Sequence, residues 1–318
     1  MFMNKYLLER KFQDYDEFAH ITRKWDLDFL QLDTGKFNAN ILQLLSIQSF
    51  YTYAHFSRCL EQRGSPPPGM WTFAILSHRS TPIVWQKNKP EKNCIFIYTP
   101  GSEIDGVSKP DFEAFTLSYS EEHLNRIAAD LSLPEIRNLY GNSTMHEISQ
   151  PRLNHLQKEL LHFDNTVRTE YSLSKSLSFN HFLDNELPEK ILLTLADSKP
   201  IQKIQTGIRD RAIKKVKEYL TAFPEERVSI SKLCHLAGVS ERTLQYAFQE
   251  YYGVTPKTYL KNYQLNLVRR KLLDTRSYNT PISDIANDFG FWHMGQFAAD
   301  YRKLFGELPS ETLRRNES

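Results

Sequence analysis

Long apolar runs are missing from this 318-residue chain. No stretch reaches the roughly eighteen apolar residues of a membrane-spanning helix, which excludes such a span. The first residues, Met1 to Arg23, are dense in charge and hold no apolar leader core, which argues against secretion. Cysteine is scarce. Cys59, Cys94 and Cys234 are far apart and odd in number, so they build no disulfide framework and fit free thiols in a reducing cytoplasm. The chain has no Gly-x-Ser-x-Gly elbow, P-loop or Gly-x-Gly-x-x-Gly fingerprint, so nothing in it supports catalysis or a bound cofactor. An excess of one charge is also absent, at 40 Lys and Arg against 38 Asp and Glu.

The length is enough for two domains with a core each, and 40% hydrophobic with 13% aromatic residues mark a globular chain. Charge is unevenly placed. Residues 208–318 carry 18 Lys and Arg against 13 Asp and Glu, an excess of +5, whereas the remainder carries −3. The basic end is where a nucleic acid would bind, although the excess is modest.

From Phe29 to about Tyr119 the pattern is of strands. Residues 40–47, 71–76, 82–85 and 94–98 are short apolar runs rich in β-branched and aromatic side chains, punctuated by Asp33-Thr-Gly35, Gly64 to Gly69 and Thr99-Pro-Gly101. Many short strands at this spacing predict a sandwich or barrel. The character then changes. Ser120 caps a helix through Asp130, and a second helix runs from about Ser149 to Arg168 with Leu153, Leu156, Leu160 and Leu161 on one face. That face either packs on the sheet or meets another helix in a dimer. A third helical stretch, Pro188 to Asp197, precedes Ser198-Lys-Pro200 and a polar segment to Gly207 that reads as a linker.

Residues 228–260 and 280–313 repeat one another. Ile230-Ser231 matches Ile282-Ser283, Leu233 matches Ile285, and Gly238 matches Gly290. With one residue inserted, Leu244 aligns with Phe297, Phe248 with Tyr301, Gly253 with Gly306 and Pro256 with Pro309. Each copy is a short helix, a glycine turn and a longer helix. Ser240 caps the longer helix of the first copy, and Pro281 opens the second copy as a first helical residue. This is helix-turn-helix grammar, in which the second helix lies in a major groove. A lone pattern of this kind is weak; two copies are much stronger. Between them an 18-residue helix, Pro256 to Leu273, spans about 27 Å, comparable with the roughly 34 Å between successive groove faces.

Residues from about Ile208 to Arg315 resemble the DNA-binding domain of AraC/XylS-type transcriptional regulators. The resemblance rests on Gly238 to Leu244, Tyr252 to Pro256 with Tyr259-Leu260, Leu265 to Arg269, Ile282 to Ala286, Gly290-Phe291, Phe297, Tyr301, Phe305-Gly306 and Pro309. It covers a third of the chain and is highly specific. It implies a seven-helix module that binds double-stranded promoter DNA, often as an activator, which brings RNA polymerase in as a partner. The N-terminal part looks more loosely like the family's cupin-like sensing and dimerisation domain, which implies a small-molecule effector and a homodimer. The fold expected is therefore α+β: a cupin-like β-barrel or sandwich with flanking helices over 1–175, a helical linker over 176–207, and an all-α double helix-turn-helix domain over 208–318.

In the first reading helix the outward positions are Glu241, Arg242, Gln245, Tyr246 and Gln249. Arg pairs bidentately with guanine and Gln with adenine. Arg242, Gln245 and Tyr246 occupy positions that usually read bases in the family, and Tyr246 stands where many relatives carry Arg. The second reading helix presents Met294, Gly295, Ala298 and Ala299, whose side chains cannot hydrogen-bond a base edge. His293 is either a plain N-cap or a DNA contact. The first helix is thus expected to carry most direct specificity, and the second positioning or shape readout. Asp300 is expected to point away from DNA and Trp292 to pack. Arg302, Lys303, Arg269, Arg270 and Lys271 are each either a phosphate contact or solvated surface.

A metal cupin needs His-x-His on a strand, and none exists; His55, His78, His123 and His155 have no partner at ligand spacing. Trp71, Trp85, Phe73, Arg63 and Arg79 are candidate effector-pocket residues, each with a plain core or surface reading beside it. Two other readings stay open: an N-terminal enzyme fused to a DNA-binding tail, and a protein-interaction module in the same place.

Overall fold

Short runs rich in apolar, β-branched and aromatic residues build the first two thirds of the chain into two stacked antiparallel sheets with helices packed on them. A computed structural model describes residues 6–22, 24–85, 93–141, 144–169, 177–201, 207–274 and 280–315. The chain runs through β1 (Tyr6–Phe12), α1 (Tyr15–Ile21), β2 (Asp26–Gln31), β3 (Ala39–Leu45), β4 (Ser49–Phe56), β5 (Leu60–Ser65), β6 (Met70–Leu76), β7 (Ile83–Trp85), β8 (Cys94–Tyr98), β9 (Ile104–Ser108) and β10 (Phe112–Ser120). Then follow α2 (Glu121–Asp130), α3 (Ile136–Tyr140), β11 (Met145–Glu147), α4 (Gln150–Thr169), α5 (Leu177–His181), a π-helical turn over Phe182–Glu186, α6 (Leu187–Leu195) and β12 (Lys199–Pro200). Seven helices complete the described residues: α7 (Ile208–Ala222), α8 (Ile230–Ala237), α9 (Glu241–Tyr252), α10 (Pro256–Leu273), α11 (Ile282–Asp288), α12 (Met294–Phe305) and α13 (Pro309–Arg314).

The larger sheet has the order β1-β3-β4-β10-β6-β8-β11-β12 and the smaller β2-β5-β9-β7. Along β8, Cys94, Phe96 and Tyr98 face the smaller sheet, and Ile95 and Ile97 face the helices behind. Along β10, Phe112 and Ala114 face inward, and Phe115, Leu117 and Tyr119 outward. Both faces of this sheet are buried, which is why its strands read as unbroken apolar runs. α2, α4 and α6 cover the outer face. Leu153, Leu156, Leu160, Phe163 and Val167 of α4 all enter that core, so the leucine face packs inward on the sheet and α6, with Leu161 at its half-buried margin.

Two boundaries differ from the sequence reading. β1 precedes the expected start of the strands. It is an edge strand whose Glu9, Arg10 and Lys11 stay exposed, so its charges hid it. Lys199–Pro200, read as linker, pairs with β11, and the Ile201 N–H donates to the Met145 carbonyl at 2.9 Å. The rest of the expected linker, 202–206, lies outside the described residues.

Candidate nucleic-acid interface

The first helix-turn-helix is set by its caps. Ser229 Oγ accepts from the Lys232 N–H at 3.1 Å to start α8, which buries Leu233 and Ala237. Gly238, at φ 69°, supplies the left-handed residue that ends it. Ser240 Oγ accepts from the Thr243 N–H at 3.2 Å, fixing the first turn of α9. Leu244, Ala247, Phe248, Tyr251 and Tyr252 of α9 are buried. With that face committed, Arg242, Gln245, Tyr246 and Gln249 are all left exposed and line one open groove with Thr255. The Arg242 guanidinium lies 5.5 Å from the Tyr246 ring centroid, and Arg209 of α7 lies 5.4 Å from the same ring. Gln249 Nε2 donates to the Gly253 carbonyl at 3.1 Å. The four side chains brought together here are the ones that the sequence singled out.

The second copy repeats the path with a different surface. Pro281 is the N-cap of α11 and Ile282 is the first helical residue, so the helix starts one residue later than expected. Gly290 turns at φ 90°, and a Cβ there would lie 2.1 Å from Arg227 Nε. Arg227 donates to the Gly290 carbonyl and lies 5.2 Å from the Trp292 ring centroid. Trp292 is 61% exposed, which corrects the expectation that it packs. His293 occupies the N-cap position of α12 but makes no side-chain capping bond. Met294 and Ala298 are half-buried, Met294 against the core, while Gly295 and Ala299 are exposed. Arg302 and Lys303 are exposed, and Asp300 turns to Lys261 of α10 at 2.9 Å.

α10 joins the two heads and is gripped by the sandwich. Arg269 is 2% exposed and pairs with Asp14 and Asp16, and Arg270 pairs with Asp28. Neither is a free phosphate contact or solvated surface, which corrects both readings; Lys271 alone of the three is exposed. Asn266 Oδ1 accepts from the Tyr15 hydroxyl at 2.6 Å and the Gln31 N–H at 3.0 Å, and its Nδ2 donates to the Gln31 carbonyl at 3.1 Å. Gln31 Nε2 reaches on to the Leu304 carbonyl of α12 at 2.6 Å. A second junction centres on Glu61 of β5, which is fully buried. It lies 3.0 Å from Lys217 Nζ of α7 and 2.6 Å from Arg63, and it accepts from the Tyr259 hydroxyl at 2.7 Å. Burial alone would raise its carboxyl, but Lys217, Arg63 and Tyr259 outweigh this and hold it down at about 2. Neither junction has a local signature, because each joins residues far apart along the chain.

Between the sheets lies an apolar cavity of about 680 Å³, counting its open mouth. Trp85 lines it, as expected of a pocket residue, together with Phe18, Trp25, Phe96 and Phe112. The other candidates do not line it. Trp71 and Phe73 face the outer core, Trp71 donating to Glu121 at 3.2 Å, Arg63 belongs to the Glu61 junction, and Arg79 is exposed.

A pair of helix-turn-helix units joined by one helix defines a class of DNA-binding regulators, and over that part of the chain the comparisons with known proteins agree. A helix-turn-helix domain family matches residues 233–315. The XylDLEGF operon transcriptional activator 1 of Pseudomonas putida is 37% identical over 106 residues, which is 33% of this chain and 32% of that protein. The XylDLEGF operon transcriptional activator 2 of the same organism is 32% identical over 141 residues, covering 44% of this chain and 88% of that protein. The chain belongs to the AraC/XylS family of transcriptional regulators. With the first of these relatives it shares about a third of the relative's length. Among solved structures, the AraC-like transcriptional activator CuxR is 14% identical, with a TM-score of 0.44, over 90% of this chain and all of that one.

Proposed function

We propose that this chain is an effector-responsive, sequence-specific transcription regulator, and not an enzyme. It reads promoter DNA with α9 and α12 in successive major grooves. The observation that carries the reading is the exposed row Arg242, Gln245, Tyr246 and Gln249 on a rigidly capped α9, whose opposite face is wholly committed to the core. Arg242 and Gln245 supply the bidentate donors that distinguish bases, and Tyr246 and Gln249 border them. On α12, His293 and Arg302 hold the backbone, and Met294, Gly295 and Ala298 offer a smooth surface that reads groove shape or a thymine methyl. The DNA-reading unit is 208–318, the sensing unit 1–175, and 176–207 connects them. RNA polymerase, a homodimeric state and a cytoplasmic setting belong to the same proposal. No helix among the described residues is long and apolar enough to cross a membrane.

Effector response has a route. α1 and β2 carry Phe18 and Leu27 into the cavity and also dock Asp14, Asp16, Asp28 and Gln31 on α10. An occupant that moves α1 or β2 therefore moves the helix that spaces the two heads. The test is binding to a selected duplex and to a scrambled one at fixed salt. A preference of about a thousandfold or more supports the reading, and equal binding refutes it.

A further inference from the structure

The turn of the second helix-turn-helix holds one residue more than the turn of the first. The Val239 N–H donates to the Cys234 carbonyl at 3.1 Å and the Phe291 N–H to the Ala286 carbonyl at 2.9 Å, so the two turns match as far as Val239 and Phe291. Both of these side chains are half-buried against the core. Ser240 then caps α9 at once, whereas Trp292 intervenes before His293 and α12. The extra residue does not pack, since Trp292 is 61% exposed. A lone exposed ring is ordinary. This one carries a cation: the Arg227 guanidinium lies 5.2 Å from its centroid. Arg227 precedes α8, so it reaches from the entry of the first unit to the turn of the second, where it also donates to the Gly290 carbonyl. Arg269 and Arg270 have carboxylate partners, but Arg227 has none among the described residues. The adjacent Glu226 is engaged by Lys232 and by the Tyr219 hydroxyl. A guanidinium held in place without a counter-charge keeps donors available for an anion.

We propose that Arg227 binds a DNA phosphate at the edge of the groove that α12 enters, and that Trp292 is the positioning residue that holds its guanidinium there. The inference rests on the DNA-binding reading above. In a helix-turn-helix the turn before the reading helix lies at the rim of the groove, where phosphates are met. α12 has need of such an anchor, because Met294, Gly295, Ala298 and Ala299 give it no side-chain donor to a base. Arg227 belongs to the segment that leads into the first unit, so its contact couples that unit to the backbone beside the second.

The experiment measures binding of the full-length protein to a selected and a scrambled duplex from about 50 to 200 mM salt, for the wild type, Arg227→Gln, Trp292→Ala, Trp292→Phe and the Arg227→Gln/Trp292→Ala double variant. Arg227→Gln should weaken both complexes about three- to tenfold and lower the salt slope by about one. Trp292→Ala removes no charge, yet it should lower the slope by most of that amount, because Arg227 loses its platform. Trp292→Phe keeps an aromatic face and should retain most of the slope. The double variant should bind within about twofold of Arg227→Gln alone, as residues acting as one unit do. Both side chains are at the surface, so every variant should melt with the wild type. An unchanged slope for Arg227→Gln overturns the phosphate contact, and a weakened Trp292→Ala with the wild-type slope overturns the positioning role. Equal binding of the wild type to both duplexes defeats the sequence-specific reading, while the slopes still decide this inference. No binding to either duplex overturns both.

Discussion

Glu61 of β5 accepts a hydrogen bond from the Tyr259 hydroxyl of α10 at 2.7 Å, across 198 residues of sequence. The same carboxylate holds Lys217 of α7 and Arg63 of its own strand. One buried group thus fastens the sandwich to two helices of the DNA-reading unit.

Replacing it as Glu61→Gln leaves the half-buried Arg63 without its carboxylate, while Lys217 keeps Asp105, and is expected to cost about 3 kcal/mol near neutral pH. The folded carboxyl titrates at about 2, below its unfolded value of about 4.3. Its contribution is therefore complete above about pH 4.3 and is lost as pH falls toward 2. Urea unfolding of wild type and variant should show a constant gap from about pH 5 to 7 that closes on acidification. A gap that widens toward acid contradicts the assignment.

The other junction separates structural from functional arginines. Arg269→Ala takes the most buried partner from Asp14 and Asp16, which keep the more exposed Arg315 and Arg270, and should destabilise by roughly 3 kcal/mol. Arg302→Ala is at the surface, so its stability should change by less than about 0.5 kcal/mol. It should instead weaken DNA binding uniformly across sequences and lower the salt slope by about one. Denaturation and salt titration of both variants check this, and a reversal of the two outcomes would place Arg269 at the DNA.

These arginines also mark where the sequence stopped being legible. Helix-turn-helix geometry is local: Ser240, Gly238 and the spacing of Leu244, Phe248 and Tyr252 dictate cap, turn and buried face, so α8 to α10 and the exposed row on α9 could be read directly. The short apolar runs of β6 and β8, rich in β-branched and aromatic residues, made those strands legible in the same way. Arg269 and Arg270 carry no local mark that distinguishes a buried pair from a phosphate contact, because their partners lie near the N-terminus. Trp292 was misread for a related reason: its ring stays exposed and meets Arg227, which lies outside the repeat, and not the core. Of the five candidate pocket residues Trp85 alone lines the cavity, and nothing local set it apart from the other four, each of which also read as plain core or surface.

Gly295 offers a test of α12. A Cβ at this position meets nothing within 4 Å, so Gly295→Ala should raise stability by about 0.5–1 kcal/mol through helix propensity. If the backbone here approaches DNA closely, affinity should fall several-fold while the melting temperature rises. Unchanged affinity would show that α12 stands further from the groove.

The central claim is that α9 reads bases. Selection of binding sites from random duplex DNA at fixed salt, by the wild type and by Arg242→Ala and Gln245→Ala, tests it most directly. The account predicts an enriched motif for the wild type and loss of about 1–3 kcal/mol of discrimination in one half of it for each variant, with unfolding curves unchanged. No enrichment by the wild type, or an identical motif from all three proteins, would contradict it.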